Sequence, residues 1–402
     1  MQLNKIFTLE SLLIILFSVS LSFGNFNPFM LNSTDEEANL GLCQLFLLLL
    51  IPFLAWKYKG KYFNSLVFNG WQQSIIKFWI IAFLISLLLA KATSIDLFVF
   101  WGKILLEVSL CILLPICFRN KQLMYISIIV FSIVSIILSI CVLSGLFANF
   151  IDLRNGRLWL WGENPNSSSC RWGIAIIFIV YLCFYNPLNW KLSRFILTIG
   201  IIPLMLLIIM SGSRGSLLIT IFCLFVFLWK YSKISRIKMF FFFLLACIPL
   251  YFFISNLLST GEFSIFERLQ SSLDEGGDRV RAELLKSALN IFADNPLFGV
   301  GSTNFMHIMR TVYNHSNTVH NMYAHILAIS GICGFIPFAS FIFNLLKGCY
   351  SIMKKNIMPM VLMLFVLILA YKTGGILSYL FMWYIFSLSI SFVNVEFSEN
   401  EK

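Results

Sequence analysis

The feature that most constrains this chain is a succession of apolar runs, each close to the length of a bilayer crossing. A helix that spans hydrocarbon needs about 20 mostly apolar residues. Such runs lie near 7–23, 40–56, 74–90, 97–117, 123–147, 173–187, 195–211, 216–231, 239–257, 322–346, 357–373 and 374–392. They predict an all-α, polytopic integral membrane protein of about 12 transmembrane helices, because a helix satisfies every backbone N–H and C=O within one apolar segment. Three regions follow: N-terminal spans over 1–150, a core over 151–346, and C-terminal spans and tail over 347–402.

Composition narrows the classes further. Charged residues are only 12% of the chain and hydrophobic ones 59%, against about 25% charged residues in soluble domains. The net charge of +11 reads as basic residues held at cytoplasmic span ends and near anionic lipid, with no nucleic acid as partner. Of ten cysteines, nine lie within or at the ends of apolar runs, and Cys170 is expected in a polar outer loop. That pattern is neither a disulfide framework nor a CxxC metal site. The first run lacks a strongly basic start, so it reads as an uncleaved span.

Orientation follows from loop charge. The even-numbered loops carry fourteen Lys and Arg, including Lys57, Arg119, Arg194, Arg236 and Lys354; the short odd-numbered loops hold only Lys91, Arg214 and Lys372. The even loops and both termini are therefore expected in the cytoplasm, and a partly helical periplasmic loop, 258–321, between spans nine and ten. Within it, Asp278 to Phe292 has apolar residues at helical spacing (Val280, Leu284, Leu285, Ala288, Leu289, Phe292), with Asp278 as N-cap and Asn295-Pro296 as the stop.

Arginine on the outer side runs against the positive-inside bias. Arg214 lies in Ser211-Gly-Ser-Arg-Gly-Ser216, a tight connection of small residues. A guanidinium at the membrane surface presents a planar fork of donors that suits phosphate; the plainer reading is an arginine snorkelling from a span end. Arg279 and Arg281, in the first turns of the loop helix, could face the same anion or simply lie on a solvated face. The four histidines, His307, His315, His320 and His325, crowd into one stretch. The last three are five apart, whereas a helical zinc pair is spaced by four, and no Cys or Glu completes the set, so no metal is expected. His320, where the loop meets the tenth span, is the candidate catalytic residue: imidazole titrates near neutrality and can take a proton from a hydroxyl. Arg157 and Asn164-Pro165-Asn166 lie in the other long outer loop and by themselves are turn chemistry.

Taken together, these residues resemble the O-antigen ligase and polymerase superfamily. His320-Asn321, nine residues, Gly331, two residues, Gly334 is similar to that family's H-N-x9-G-x-x-G pattern. Arg281 to Phe305 resembles a second family segment, with Leu285 where a tryptophan is usual, and Ser211–Ser216 and Gly162–Asn166 resemble two more, in the expected order. The resemblance runs from about 155 to 345. It implies a metal-independent, inverting glycosyltransferase of the inner membrane, with no cofactor and its active site facing the periplasm. The implied partners are an undecaprenyl-diphosphate-linked glycan donor, a lipid A–core acceptor and membrane lipids. Arg214 and Arg281, with Arg279 in reserve, would hold the diphosphate. His320 would activate or orient the acceptor hydroxyl, and Arg157, Asn164, Asn166 and Asn321 would add substrate contacts.

A ligase is favoured over a polymerase by the span count and by the single dominant outer loop. A transporter would place ionisable residues midway along spans. The one such pair, Lys103 and Glu107, is spaced i,i+4 and expected to satisfy itself.

Overall fold

A computed structural model describes residues 8–24, 26, 42–65, 70–90, 95–154, 157–185, 197–231, 279–315, 319–372, 377 and 379–400. Six helices among them are long and apolar enough to cross a membrane, and five shorter apolar helices accompany them. The protein is therefore a multi-pass helical membrane protein. The run at 239–257 and the first part of the long loop, 258–278 with Asp278, lie outside the described residues.

The chain divides into two compact units, Met1–Thr34 with Tyr125–Gly277, and Asp35–Met124 with Asp278–Lys402. The first contains α1 (Leu9–Phe23), most of α5 (Lys121–Leu143), a hairpin of β1 (Ile151–Arg154) and β2 (Arg157–Leu160), α6 (Pro165–Tyr185), α7 (Ile201–Met210) and α8 (Arg214–Tyr231). Helices α1 and α5 meet through Ser18 and Ser127, whose hydroxyls are 2.8 Å apart, and Phe131 meets Phe178 of α6 edge-on at 5.8 Å. The strands are antiparallel, with Ile151 opposite Leu160.

Helix α6 starts eight residues before the predicted span, and the reason is local. Pro165 occupies its first position, where a fixed φ is favourable and no N–H is missed. The Asn164 side chain accepts the Asn166 N–H at 3.0 Å, as an N-cap does. Ser168 and Ser169 return their hydroxyls to the carbonyls of Pro165 and Asn166. A polar first turn of this kind is invisible to hydropathy. As a consequence Cys170, expected in an outer loop, is buried inside α6.

The second unit holds α2 (Leu42–Ser65), α3 (Gly70–Leu89), α4 (Ile95–Cys117), α9 (Arg279–Asp294), α10 (Ser302–Thr311), α11 (Met322–Ile352), α12 (Met358–Lys372) and α13 (Leu380–Asn400). Helices α3 and α11 run antiparallel. Ser74 pairs with Ser340 at 3.1 Å, Phe78 with Phe338 at 5.1 Å, and a Cβ on Gly334 would meet that of Ala82 at 3.9 Å. Helices α4 and α13 are joined by Cys111, whose thiol donates to the Trp383 carbonyl at 3.3 Å. Lys103 and Glu107 of α4 are both buried, but neither carboxylate oxygen of Glu107 accepts a hydrogen bond from a described residue. The expected pairing is present as a charge interaction between Lys103 and Glu107 and not as a hydrogen bond to the carboxylate.

Helix α9 forms where the loop was expected to be helical, with a narrower apolar face. Leu284, Ala288 and Ile291 are buried with Ser287, while Val280 and Leu289 are exposed. The stripe is the i, i+4, i+7 set of a helix laid against a neighbour, here α11.

Candidate active site

Helix α11, in the second unit, follows the candidate residue His320, and it is broken. Gly331 adopts φ 60°, ψ −161°, a region essentially reserved for glycine. The segment between α9 and α10 enters the break. Val300 and Gly301 donate to the carbonyls of Ala328 and Ile329, each at 2.9 Å. Ile332 and Cys333 donate to those of Pro296 and Leu297 at 2.9 and 3.1 Å. Backbone groups freed by the break are thus satisfied by the loop, as a buried backbone requires. The glycines permit this contact. A Cβ on Gly299 would stand 2.5 Å from the Ala328 oxygen, and one on Gly331 would strike the Leu297 carbonyl. The glycines of the two sequence signatures therefore meet in one backbone junction.

The N-terminal half of α11 begins at Asn321, whose side-chain oxygen accepts the Ala324 N–H at 3.0 Å. Asn321, expected at the substrate, has its oxygen committed to capping. His320 precedes this cap and is half-buried. Its pKa is lowered, by burial first and by the positive charge of Arg281 second. The imidazole is thereby held neutral near pH 7, the state that can accept a proton. Arg281 itself is exposed on the first turn of α9, so the structure brings these two residues into one electrostatic environment. Arg279 is the first residue of α9; its side chain is outside the described set.

The remaining histidines divide by environment. His325 is buried, its ring 4.9 Å from that of Phe305. His307 is exposed, and His315 is half-buried. No group of three or more His, Cys, Asp or Glu is placed to hold a metal ion among the described residues.

The first unit carries Arg157, Asn164, Asn166 and Arg214. Arg157 of β2 donates through Nε to the Ser211 carbonyl and through Nη2 to Asn166 Oδ1, both at 2.9 Å. Ser216 donates to the Asn166 carbonyl at 3.3 Å and receives Ser169 at 2.8 Å, with Ser213 also at 2.8 Å. The turn before α6 and the turn before α8 are therefore one hydrogen-bonded body, with Arg157 as its bolt. Gly212, at φ 64°, makes the sharp reversal that leaves Arg214 as the first residue of α8, half-buried at the helix's positive end.

Sequence reasoning missed a supporting pair. Glu163 and Arg171 form a doubly hydrogen-bonded, buried ion pair that ties the start of α6 to the turn before it. Gly24, at the end of α1, has no room for a side chain because the Arg171 guanidinium occupies that space. The available signal was an arginine directly abutting an apolar run, eight residues beyond a lone glutamate.

A multi-pass membrane protein thus presents a broken helix preceded by His320, whose pKa is lowered in part by the charge of Arg281. Residues 199–339 match the family model described as O-antigen ligase. Over that stretch, about a third of its length, the chain is similar to the O-antigen ligase family, whose glycosyltransferase-like enzymes of O-antigen assembly include ligases and polymerases. The matched stretch contains Arg214, Arg279, Arg281, His320 and Asn321, while Arg157, Asn164 and Asn166 precede it. No curated protein matches the chain.

Proposed function

We propose that the protein is an O-antigen ligase of the bacterial inner membrane, transferring a glycan from undecaprenyl diphosphate to lipid A–core on the periplasmic side. The observation that carries this reading is His320, kept neutral next to Arg281 at the start of a broken helix. In the proposed step an acceptor hydroxyl oxygen attacks the anomeric carbon from the face opposite the leaving group. The glycosyl–phosphate C–O bond breaks with its electron pair going to the diphosphate, and the configuration inverts. His320 takes the hydroxyl proton as the new bond forms. Arg214 and Arg281, with Arg279 in reserve, hold the diphosphate and stabilise the charge it gains on departure. No cofactor or metal takes part in the proposed step. Arg157 acts through the turn it holds, and Asn164, Asn166 and Asn321 through the backbone they cap or anchor, with any substrate contact made by their remaining donors.

A deletion strain tests the acceptor. If the protein is the ligase, long-chain glycan remains on undecaprenyl diphosphate and lipid A–core is left unmodified. Lipid A–core bearing a single repeat would instead identify a polymerase joining lipid-linked repeat units. Normal glycosylated lipid A–core would overturn both, leaving a lipid-linked glycan transporter as the class to test.

A further inference from the structure

The second unit also contains an open cleft of about 180 Å³ that the transfer chemistry does not use. Its apolar surface comes from Leu89, Val300 and Ile308, and its polar groups are Asn295, Asn304 and His307. Asn295 donates its amide to the Ile291 carbonyl at 3.3 Å, and Asn304 donates to the Leu89 carbonyl. The carboxamide oxygen of each is left to accept from a ligand, and His307 is exposed. Amide oxygens and an imidazole beside aliphatic carbon match a hydroxyl-rich ring with a C–H face. Two amide oxygens disfavour an anion, and the volume, below that of drug-sized sites, restricts the occupant to about a single ring.

Position refines the assignment. Val300 bonds to Ala328, eight residues along α11 from His320, an axial separation of about 12 Å at 1.5 Å per residue. The cleft lies at the end of span α3, because Leu89 lines it, and α11 is antiparallel to α3, so His320 stands beyond that end. A glycan anchored in the membrane would pass the cleft before reaching His320.

We propose that this cleft is a subsite for a neutral sugar residue of the lipid-linked acceptor, the membrane-proximal one, while a more distal acceptor hydroxyl reacts at His320. The assignment rests on the glycan-transfer reading. The donor's membrane-proximal sugar is the one whose bond to the diphosphate breaks, so the subsite is assigned to the acceptor, and kinetics tests that assignment.

The experiment uses the full chain in nanodiscs with methyl glycosides of glucose, galactose and N-acetylglucosamine, read by saturation-transfer NMR. At least one glycoside should show transfer to its ring C–H protons. His307→Ala should weaken that binding roughly 3- to 10-fold, the effect of one neutral hydrogen bond, and Ile308→Trp should block it by filling the cleft. In transfer assays the same variants should raise KM for the acceptor and not for the donor, and leave kcat within about 2-fold, since neither side chain is assigned to the chemical step. A KM rise for the donor alone overturns the acceptor subsite. No glycoside binding to the wild type, or binding that both variants retain, overturns the subsite. If the wild type binds a glycoside but transfers no glycan, the subsite stands and the transfer reading fails.

Discussion

At the residue scale, His320 and Arg281 govern the pH response. A histidine with a lowered pKa is neutral over a wider range, so the acid limb of kcat/KM should lie below the ordinary imidazole value of about 6.5. Arg281→Gln removes one of the two causes and should move that limb upward, even on a reduced rate. A limb that stays in place would separate the two residues. The sign for stability is the same: an unfolded chain binds the proton more readily, so folding loses this contribution as pH falls through the unfolded value. His320→Ala should lower transfer by about 10²–10⁴-fold, the usual reach of a general base, while the protein still inserts. Lysine should not restore function at Arg214 or Arg281, because a point charge does not reproduce the planar fork. Near-normal transfer by both lysine variants, measured with purified substrates, would remove the diphosphate assignment.

At the element scale, the broken α11 of the second unit and the bolted turns of the first each hold their own candidate residues. Gly331→Ala should cost about 1–3 kcal/mol from backbone strain alone, and more from the collision with Leu297. Gly102, where an added Cβ meets nothing within 4 Å, provides the contrasting alanine variant. Thermal unfolding in detergent compares them, and equal midpoints would contradict the junction. Glu163→Gln strands the buried Arg171 guanidinium and should cost about 3–5 kcal/mol, as breaking a buried pair does.

The sequence made some of these elements legible and hid others. The amphipathic 278–292 stretch announced α9 because its period is helical. Its buried face was misread because Val280 and Leu289 are apolar yet exposed, and the width of a contact depends on the neighbour. The start of α6 was hidden by its polar cap and serines. The glycines of two signatures were visible as patterns, but that Gly299 and Gly331 meet across a helix break depends on a long-range backbone contact that no local property encodes. Arg157 was legible as a cation and not as the donor that joins Ser211 to Asn166.

At the scale of the whole molecule, loop charge assigns sides to the spans. Reporter fusions at Ser271 and Lys354 should report opposite faces of the membrane, with Ser271 outside; the same side for both would reverse the proposed placement of His320. The central claim is glycan transfer to lipid A–core, and reconstitution tests it most directly. Wild type and His320→Ala would each be purified, inserted into proteoliposomes with undecaprenyl-diphosphate-linked glycan and lipid A–core, and assayed with and without EDTA. The account predicts glycosylated lipid A–core and released undecaprenyl diphosphate from the wild type, insensitive to EDTA and nearly absent from the variant. Glycan joined only to another lipid-linked glycan, or equal product from the His320→Ala protein, would contradict it.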